Sequence, residues 1–195
     1  MSLPATDNFN RSDGPLGSNW TQGPGSALAI VGEYVRASAG WADCSMYWSA
    51  DTPSAGQYAQ CVELLMVGEN GPGPTVRHSA TDFVVLCADT DWHIEWYNGG
   101  SFTQIGSTYA TTPLANDIAK ITANGSTFKG YVNGTERISG SNASAPSSGN
   151  GGLYSMTNSD SIDNFEVGNL PASASVLLDR RFLRGVELGI MRGAI

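Results

Sequence analysis

The sequence is poor in the residues that mark most functional classes. Lysine occurs twice in 195 residues, at Lys120 and Lys129, and histidine twice, at His78 and His93. With 18 acidic against 10 basic residues the formal charge is −8, so the chain repels polyphosphate and general nucleic-acid binding is excluded. Cysteine occurs three times, at Cys44, Cys61 and Cys87, an odd count with no C-x-x-C pair. That pattern disfavours a disulfide framework or a zinc knuckle and predicts three buried thiols. No apolar run approaches the roughly 18–20 residues of a membrane span, so no membrane partner is expected. Met1–Phe9 has neither a basic nor an apolar leader-like region, so no secretory signal is expected. Charged residues are only 14% of the chain, yet 41% is apolar, a balance that supports a folded core over disorder.

What is present reads as β-structure. Gly (24) and Pro (9) punctuate short alternating segments, and five Trp and seven Tyr add strand-favouring bulk. Strands are predicted at Thr6–Phe9, Ala27–Val31, Glu33–Ala37, Ala42–Ser49 and Gln57–Val67. More follow at Thr75–His78, Phe83–Ala88, Trp92–Tyr97, Ser101–Ser107, Asp117–Ala123, Thr127–Val132, Thr135–Ser139, Gly152–Thr157 and Ser161–Gly168. Asn98-Gly99-Gly100, Asn124-Gly125 and Asn133-Gly134 are hairpin signals. About a dozen strands without crossover helices predict an all-β, antiparallel two-sheet sandwich over residues 1–168.

The charge is unevenly placed. Up to Pro171 there are 6 basic and 16 acidic residues, whereas Ala172–Ile195 carries Arg180, Arg181, Arg184 and Arg192 against Asp179 and Glu187. Residues 169–174 read as a linker and 175–195 as a C-terminal arm whose pattern fits helix or strand. Leu178, Arg180, Arg181, Phe182, Leu183 and Arg184 combine apolar and arginine anchors as an interface core does. They are the candidate anchor, implying a homo-oligomer or a protein partner.

The segment Asp7-Asn-Phe-Asn-Arg-Ser-Asp-Gly-Pro-Leu-Gly-Ser-Asn-Trp20 fills every position of D-x-F-x-R-x-x-G-x-L-G-x-x-W. Tyr131-Val-Asn-Gly134, Gly151-Gly-Leu-Tyr154 and Asp163-Asn-Phe165 follow later in the chain. Together these resemble concanavalin A-like (laminin-G-like) jelly-roll domains found in bacterial surface and secreted proteins and in bacteriophage virion proteins. The resemblance covers about 7–168 and implies a jelly-roll sandwich. It also implies that the strands carrying Phe9 and Phe165 pair at the adjacent ends of the body, with Trp20 closing over the core.

Chemistry candidates are few. Catalytic relatives that cleave β-glucans carry an E-x-D-x-x-E strand, but no Glu here is followed by Asp two positions on, and Glu63 and Glu95 stand singly. With two histidines and no G-x-S-x-G, a nucleophilic triad is not indicated either. The expectation is a non-enzyme.

In Trp92–Tyr97, parity sends Trp92, Ile94 and Trp96 to the core, and His93, Glu95 and Tyr97 to an outer sheet face. Tyr131, beside Lys129 on the same parity, is expected to extend that face. His93, Glu95, Tyr97 and Tyr131 are therefore the candidate carbohydrate-binding residues. No cofactor is expected beyond a structural calcium of the kind common in the resembled domains, for which Asp13, Asp89, Asp91 and Asp160 are loop acids without a D-x-D-x-D-G frame. The combined expectation is a non-catalytic virion protein (capsid decoration, head fibre or minor tail component) attached through its arm to other virion proteins. The alternatives are an extracellular or cell-surface carbohydrate-binding module and, last, a polysaccharide hydrolase.

Overall fold

A computed structural model describes residues 2–40, 42–65 and 71–171. The arm, with Leu178, Arg180, Arg181, Phe182, Leu183 and Arg184, lies outside the described residues. Among the described residues there is no helix, and so none long and apolar enough to cross a membrane. Sixteen strands form two antiparallel sheets.

The larger sheet has nine strands. In spatial order they are β14 (Thr135–Ser141), β13 (Thr127–Val132), β12 (Asp117–Asn124), β7 (Gln57–Leu65), β16 (Ser161–Asn169), β5 (Tyr34–Ala37), β4 (Leu28–Val31) and β2 (Gly14–Pro15), with β1 (Ala5–Asp7) also paired to β16. The seven-stranded sheet runs β11 (Ser101–Tyr109), β10 (Trp92–Asn98), β9 (Asp82–Ala88), β8 (Gly73–His78), β15 (Asn150–Ser155), β6 (Cys44–Trp48) and β3 (Trp20–Gln22).

Period-2 alternation builds the core. In β12, Ala119, Ile121 and Ala123 are buried while Ile118 and Asn124 are exposed. Leu28, Leu86, Trp92, Ile121, Phe128 and Phe165 belong to one apolar cluster between the sheets. The three cysteines are buried and free, as predicted. Hairpins form at all three expected signals. At Asn133-Gly134 both residues have positive φ, 51° and 76°, the geometry a two-residue turn needs and Asn-Gly supplies at little cost.

The opening motif is a self-contained clasp. Asp7 Oδ1 accepts hydrogen bonds from the Phe9 amide and from Arg11, and Asp7 Oδ2 accepts from Arg11 and from the Trp20 indole Nε1. Arg11 also donates to the Leu16 carbonyl. Asp7 is the direct partner of Phe165 across β1 and β16, so the two ends of the body do pair. The Trp20 ring lies 5.9 Å from Phe9, 4.8 Å from Phe165 and 5.6 Å from Trp48.

The Gly151-Gly152 pair has an equally local reason. A Cβ on Gly151 would lie 2.4 Å from Val167 Cγ2, and one on Gly152 2.3 Å from the Met46 carbonyl oxygen. Gly152→Ala therefore forces β15 away from β6. We expect a loss of about 1–3 kcal/mol in urea unfolding, the usual cost of overpacking a tight site.

Two features depart from the sequence reading. β2 and β3 were not anticipated. The supposed linker also begins inside the body. Asn169 is the last residue of β16, its side chain accepts from the Ser54 amide, and the Leu170 amide donates to the Gly56 carbonyl.

Candidate functional site

The outer face of the nine-stranded sheet carries a trough built by strand register. Thr6 pairs with Glu166, Glu166 with Gln60, Gln60 with Lys120, Lys120 with Tyr131, and Tyr131 with Glu136. These six residues form one row across β1, β16, β7, β12, β13 and β14. Five strand spacings make it roughly 24 Å long. Two open depressions lie along it, each about 550 Å³, and they share Gln60 and Ile118. One adds Thr6, Asn8, Asn164 and Glu166; the other adds Lys120, Thr122, Tyr131 and Leu170. A third, of about 270 Å³, continues past Tyr131 to Lys129 and Asn124.

The polar groups of the trough are held in place. Tyr58 donates its hydroxyl to Glu166 Oε1 at 2.5 Å, and Lys120 Nζ sits 4.1 Å above the Tyr58 ring. Burial and then the Glu166 hydrogen bond push the Tyr58 phenol up to about 12, so it remains a donor. Gly168 makes room for this ring, since a Cβ there would meet Tyr58 at 2.7 Å. Lys129 Nζ pairs with Glu136 Oε2 at 2.9 Å, and the Tyr131 hydroxyl donates to the same oxygen at 3.4 Å. Ile118 is 43% exposed and gives the trough an apolar patch.

The sequence-predicted sugar residues are not brought together. Tyr131 lies in this trough. His93, Glu95 and Tyr97 lie on β10, in the other sheet, because the hairpins at 124–125 and 133–134 tie β13 to β12 and β14. Tyr131 thus does not extend the β10 face. Parity within β10 is as predicted: Trp92 and Ile94 are buried in the main core and Trp96 packs against it. The opposite face is not an open platform, however. Tyr97 is 8% exposed and stacks on Phe83 at 4.9 Å in a second apolar cluster with Val85, Cys87 and Tyr154. Its ring has no free face for a sugar.

His93 and Glu95 instead meet other polar side chains. His93 Nδ1 is 3.1 Å from Asp91 Oδ1, and His93 Nε2 is 3.7 Å from Glu95 Oε2 and 3.8 Å from Asp89 Oδ2. The Cys87 thiol, directly across the strand pair from His93, donates to Glu95 Oε2 at 3.9 Å. Burial, and then the Glu95 and Asp89 carboxylates, drive the Cys87 thiol well above its ordinary range. The four loop acids considered for calcium do not converge. Asp13 accepts from the Gly32 amide, and buried Asp160 accepts from Ser155, while Asp89 and Asp91 gather around His93.

The trough residues missed in the sequence are Thr6, Gln60, Lys120, Thr122, Asn164 and Glu166. Their signal was the outward parity of four strands, but only the pairing order β1-β16-β7-β12-β13 turns that parity into one surface.

No protein-family model matches the chain, and no curated protein matches it in sequence. Comparison with solved structures gives the fold: an all-β, concanavalin A-like and galectin-like jelly-roll sandwich. The carbohydrate-binding module CBM66 from Bacillus subtilis superposes with a TM-score of 0.59 at 19% identity, covering 80% of this chain and 95% of that one. A prokaryotic β-1,3-1,4-glucanase (lichenase) derived from a mouse hindgut metagenome gives a TM-score of 0.59 at 10% identity, covering 87% and 100%. The exoplasmic/lumenal domain of VIP36, in its Ca2+/Man-bound form, gives 0.55 at 9% identity, covering 82% and 86%.

Proposed function

We propose that this protein is a non-catalytic carbohydrate-binding module, working extracellularly or at a surface, with its glycan site in the trough of the nine-stranded sheet. The observation that carries this reading is the register-built row Thr6–Glu166–Gln60–Lys120–Tyr131–Glu136, flanked by Tyr58 and Ile118. Sugars present apolar C–H faces and a fringe of hydroxyls. An aromatic ring beside fixed donors and acceptors of both charge signs matches that chemistry. The CBM66 and VIP36 likenesses support the same reading. A non-catalytic role is supported by the glutamates: Glu63 is sealed between the sheets and Glu95 faces outward from the other sheet, so the two do not flank a common bond.

The virion expectation rests on the phage part of the resemblance and on residues 175–195, outside the described residues. The comparisons supply no phage link, and carbohydrate binding takes its place as the main reading.

A glycan array with the full chain tests the proposal. We expect binding to a restricted set of oligosaccharides, weakened at least 10-fold in Tyr131→Ala and in Lys120→Ala and unchanged in Gln104→Ala on the opposite sheet. A wild type that binds no glycan, or a Tyr131→Ala protein that binds equally well, would overturn it.

A further inference from the structure

The cluster at the β9–β10 hairpin has no role in the trough, and its composition is unusual for a solvated turn. It brings a thiol, an imidazole and three carboxylates together. Cys87, His93 and Glu95 have ligand atoms all within 4.8 Å of one another, and so do Asp89, Asp91 and His93. We propose that this is a structural site for a thiophilic divalent transition-metal ion of the zinc type. Cys87 Sγ, His93 Nε2 and Glu95 are its side-chain ligands, Asp89 flanks the imidazole, and Asp91 orients it.

The strand geometry puts the ligands in place. His93 and Cys87 are direct cross-strand partners, and Glu95 follows His93 by two residues on the same face. Asp89 and Asp91 come from the turn that joins the two strands. The separations among these three fit bonds to one ion. Zinc bonds of about 2.0–2.3 Å in a tetrahedron place neighbouring ligand atoms roughly 3.3–3.8 Å apart. The observed values are 3.7 Å (His93 Nε2 to Glu95) and 3.9 Å (Cys87 Sγ to Glu95). They are slightly too long for good hydrogen bonds and close to what a shared ion requires.

The two imidazole nitrogens also divide their work. Nε2 faces Glu95 and Asp89, while Nδ1, 3.1 Å from Asp91 Oδ1, donates to that carboxylate. A carboxylate on the distal nitrogen is the usual outer partner of a metal-bound histidine.

A further observation points to a ligand. The Cys87 side chain is fully buried and aims into the cluster, and among the described residues its thiol makes one weak hydrogen bond, to Glu95. The donor set selects the ion: thiolate and imidazole suit zinc and its neighbours, whereas calcium takes oxygen ligands. The cluster is largely enclosed, with His93 and Asp89 side chains each 12% exposed. That enclosure suits a structural ion that pins the hairpin.

Cobalt substitution reads the ligands directly. Untagged, chelator-treated full-length protein is titrated with Co2+ and followed by absorbance, in parallel with thermal unfolding in Zn2+ or Ca2+. We expect one equivalent to give tetrahedral visible bands and a near-ultraviolet thiolate charge-transfer band, and zinc, not calcium, to raise the melting temperature. Cys87→Ser should remove the charge-transfer band, and Cys44→Ser should keep it. His93→Gln should weaken binding at least 100-fold, and Asp91→Asn by about 10–100-fold. If Cys87→Ser does not fold, His93→Gln at the partly exposed rim carries the test. Absence of the charge-transfer band in wild type, its survival in Cys87→Ser, undiminished affinity in His93→Gln, or stabilisation by calcium equal to that by zinc would overturn the assignment.

Discussion

Trp20→Ala is expected to be the most damaging single substitution in the body. The side chain is 5% exposed, touches Phe9, Phe165 and Trp48, and donates its indole Nε1–H to Asp7 at 2.9 Å. Truncating a buried Trp removes its transfer free energy and leaves a cavity that the surrounding strands close only in part. The cost is about 3–5 kcal/mol. For a body of this size that lowers the melting temperature by about 6–20 °C. Trp20→Phe separates the two contributions. It keeps an aromatic ring in the cluster but leaves Asp7 without the indole donor, and a loss of about 1–2 kcal/mol is expected, softened because Arg11 still donates to the same carboxylate. Urea unfolding of both variants checks this. A Trp20→Ala loss below about 1 kcal/mol would mean that the clasp is not part of the cooperative unit.

The same clasp shows why the fold was legible in the sequence. Asp7, Phe9, Arg11, Leu16 and Trp20 act on one another within fourteen residues, so the motif carries its own geometry. The Asn-Gly turns are local in the same way, and strand alternation follows from local burial. The site was not local. Tyr131 lies in the trough, but the trough residues Gln60 and Glu166 are about 70 residues upstream and 35 residues downstream of it, and only the strand order brings them into the same row. Parity placed His93, Glu95 and Tyr97 on an outer face, yet it carried no information on what covers that face. The Phe83, Phe102 and Tyr154 rings close over Tyr97. Arg77 is a further example. In the fold it is fully buried, and its guanidinium donates to the carbonyls of Ala55 and Pro146. Those acceptors come from loops distant in sequence.

Two buried titratable groups, Glu63 and His78, set an expected pH profile for stability. The Glu63 side chain is fully buried, Oε1 accepts from the Cys61 thiol at 3.1 Å, and among the described residues Oε2 has no hydrogen-bond partner. Burial pushes its carboxyl up to about 8; the Cys61 hydrogen bond opposes this, and Asp160 and Asp117 add to it. In the unfolded chain a glutamate ionises near pH 4.3. Between that value and about 8 the native state therefore holds a proton that the unfolded state has lost, and stability falls as pH rises through this window. The total is on the order of 5 kcal/mol. His78 acts in the opposite sense. Burial lowers its imidazole from 6.5 to about 3, so the unfolded state binds a proton that the native state refuses, and stability falls as pH drops from 6.5 towards 3. Between about pH 4.5 and 6.5 the two slopes oppose and nearly cancel, which places the broad maximum there. Glu63→Gln removes one slope only. The variant should match the wild type near pH 4, where Glu63 is protonated in both states, and exceed it by a few kcal/mol at pH 8.5. Urea midpoints of both proteins at these two pH values decide the point. An equal difference at both would mean that the Glu63 carboxyl is not the group whose ionisation erodes the fold.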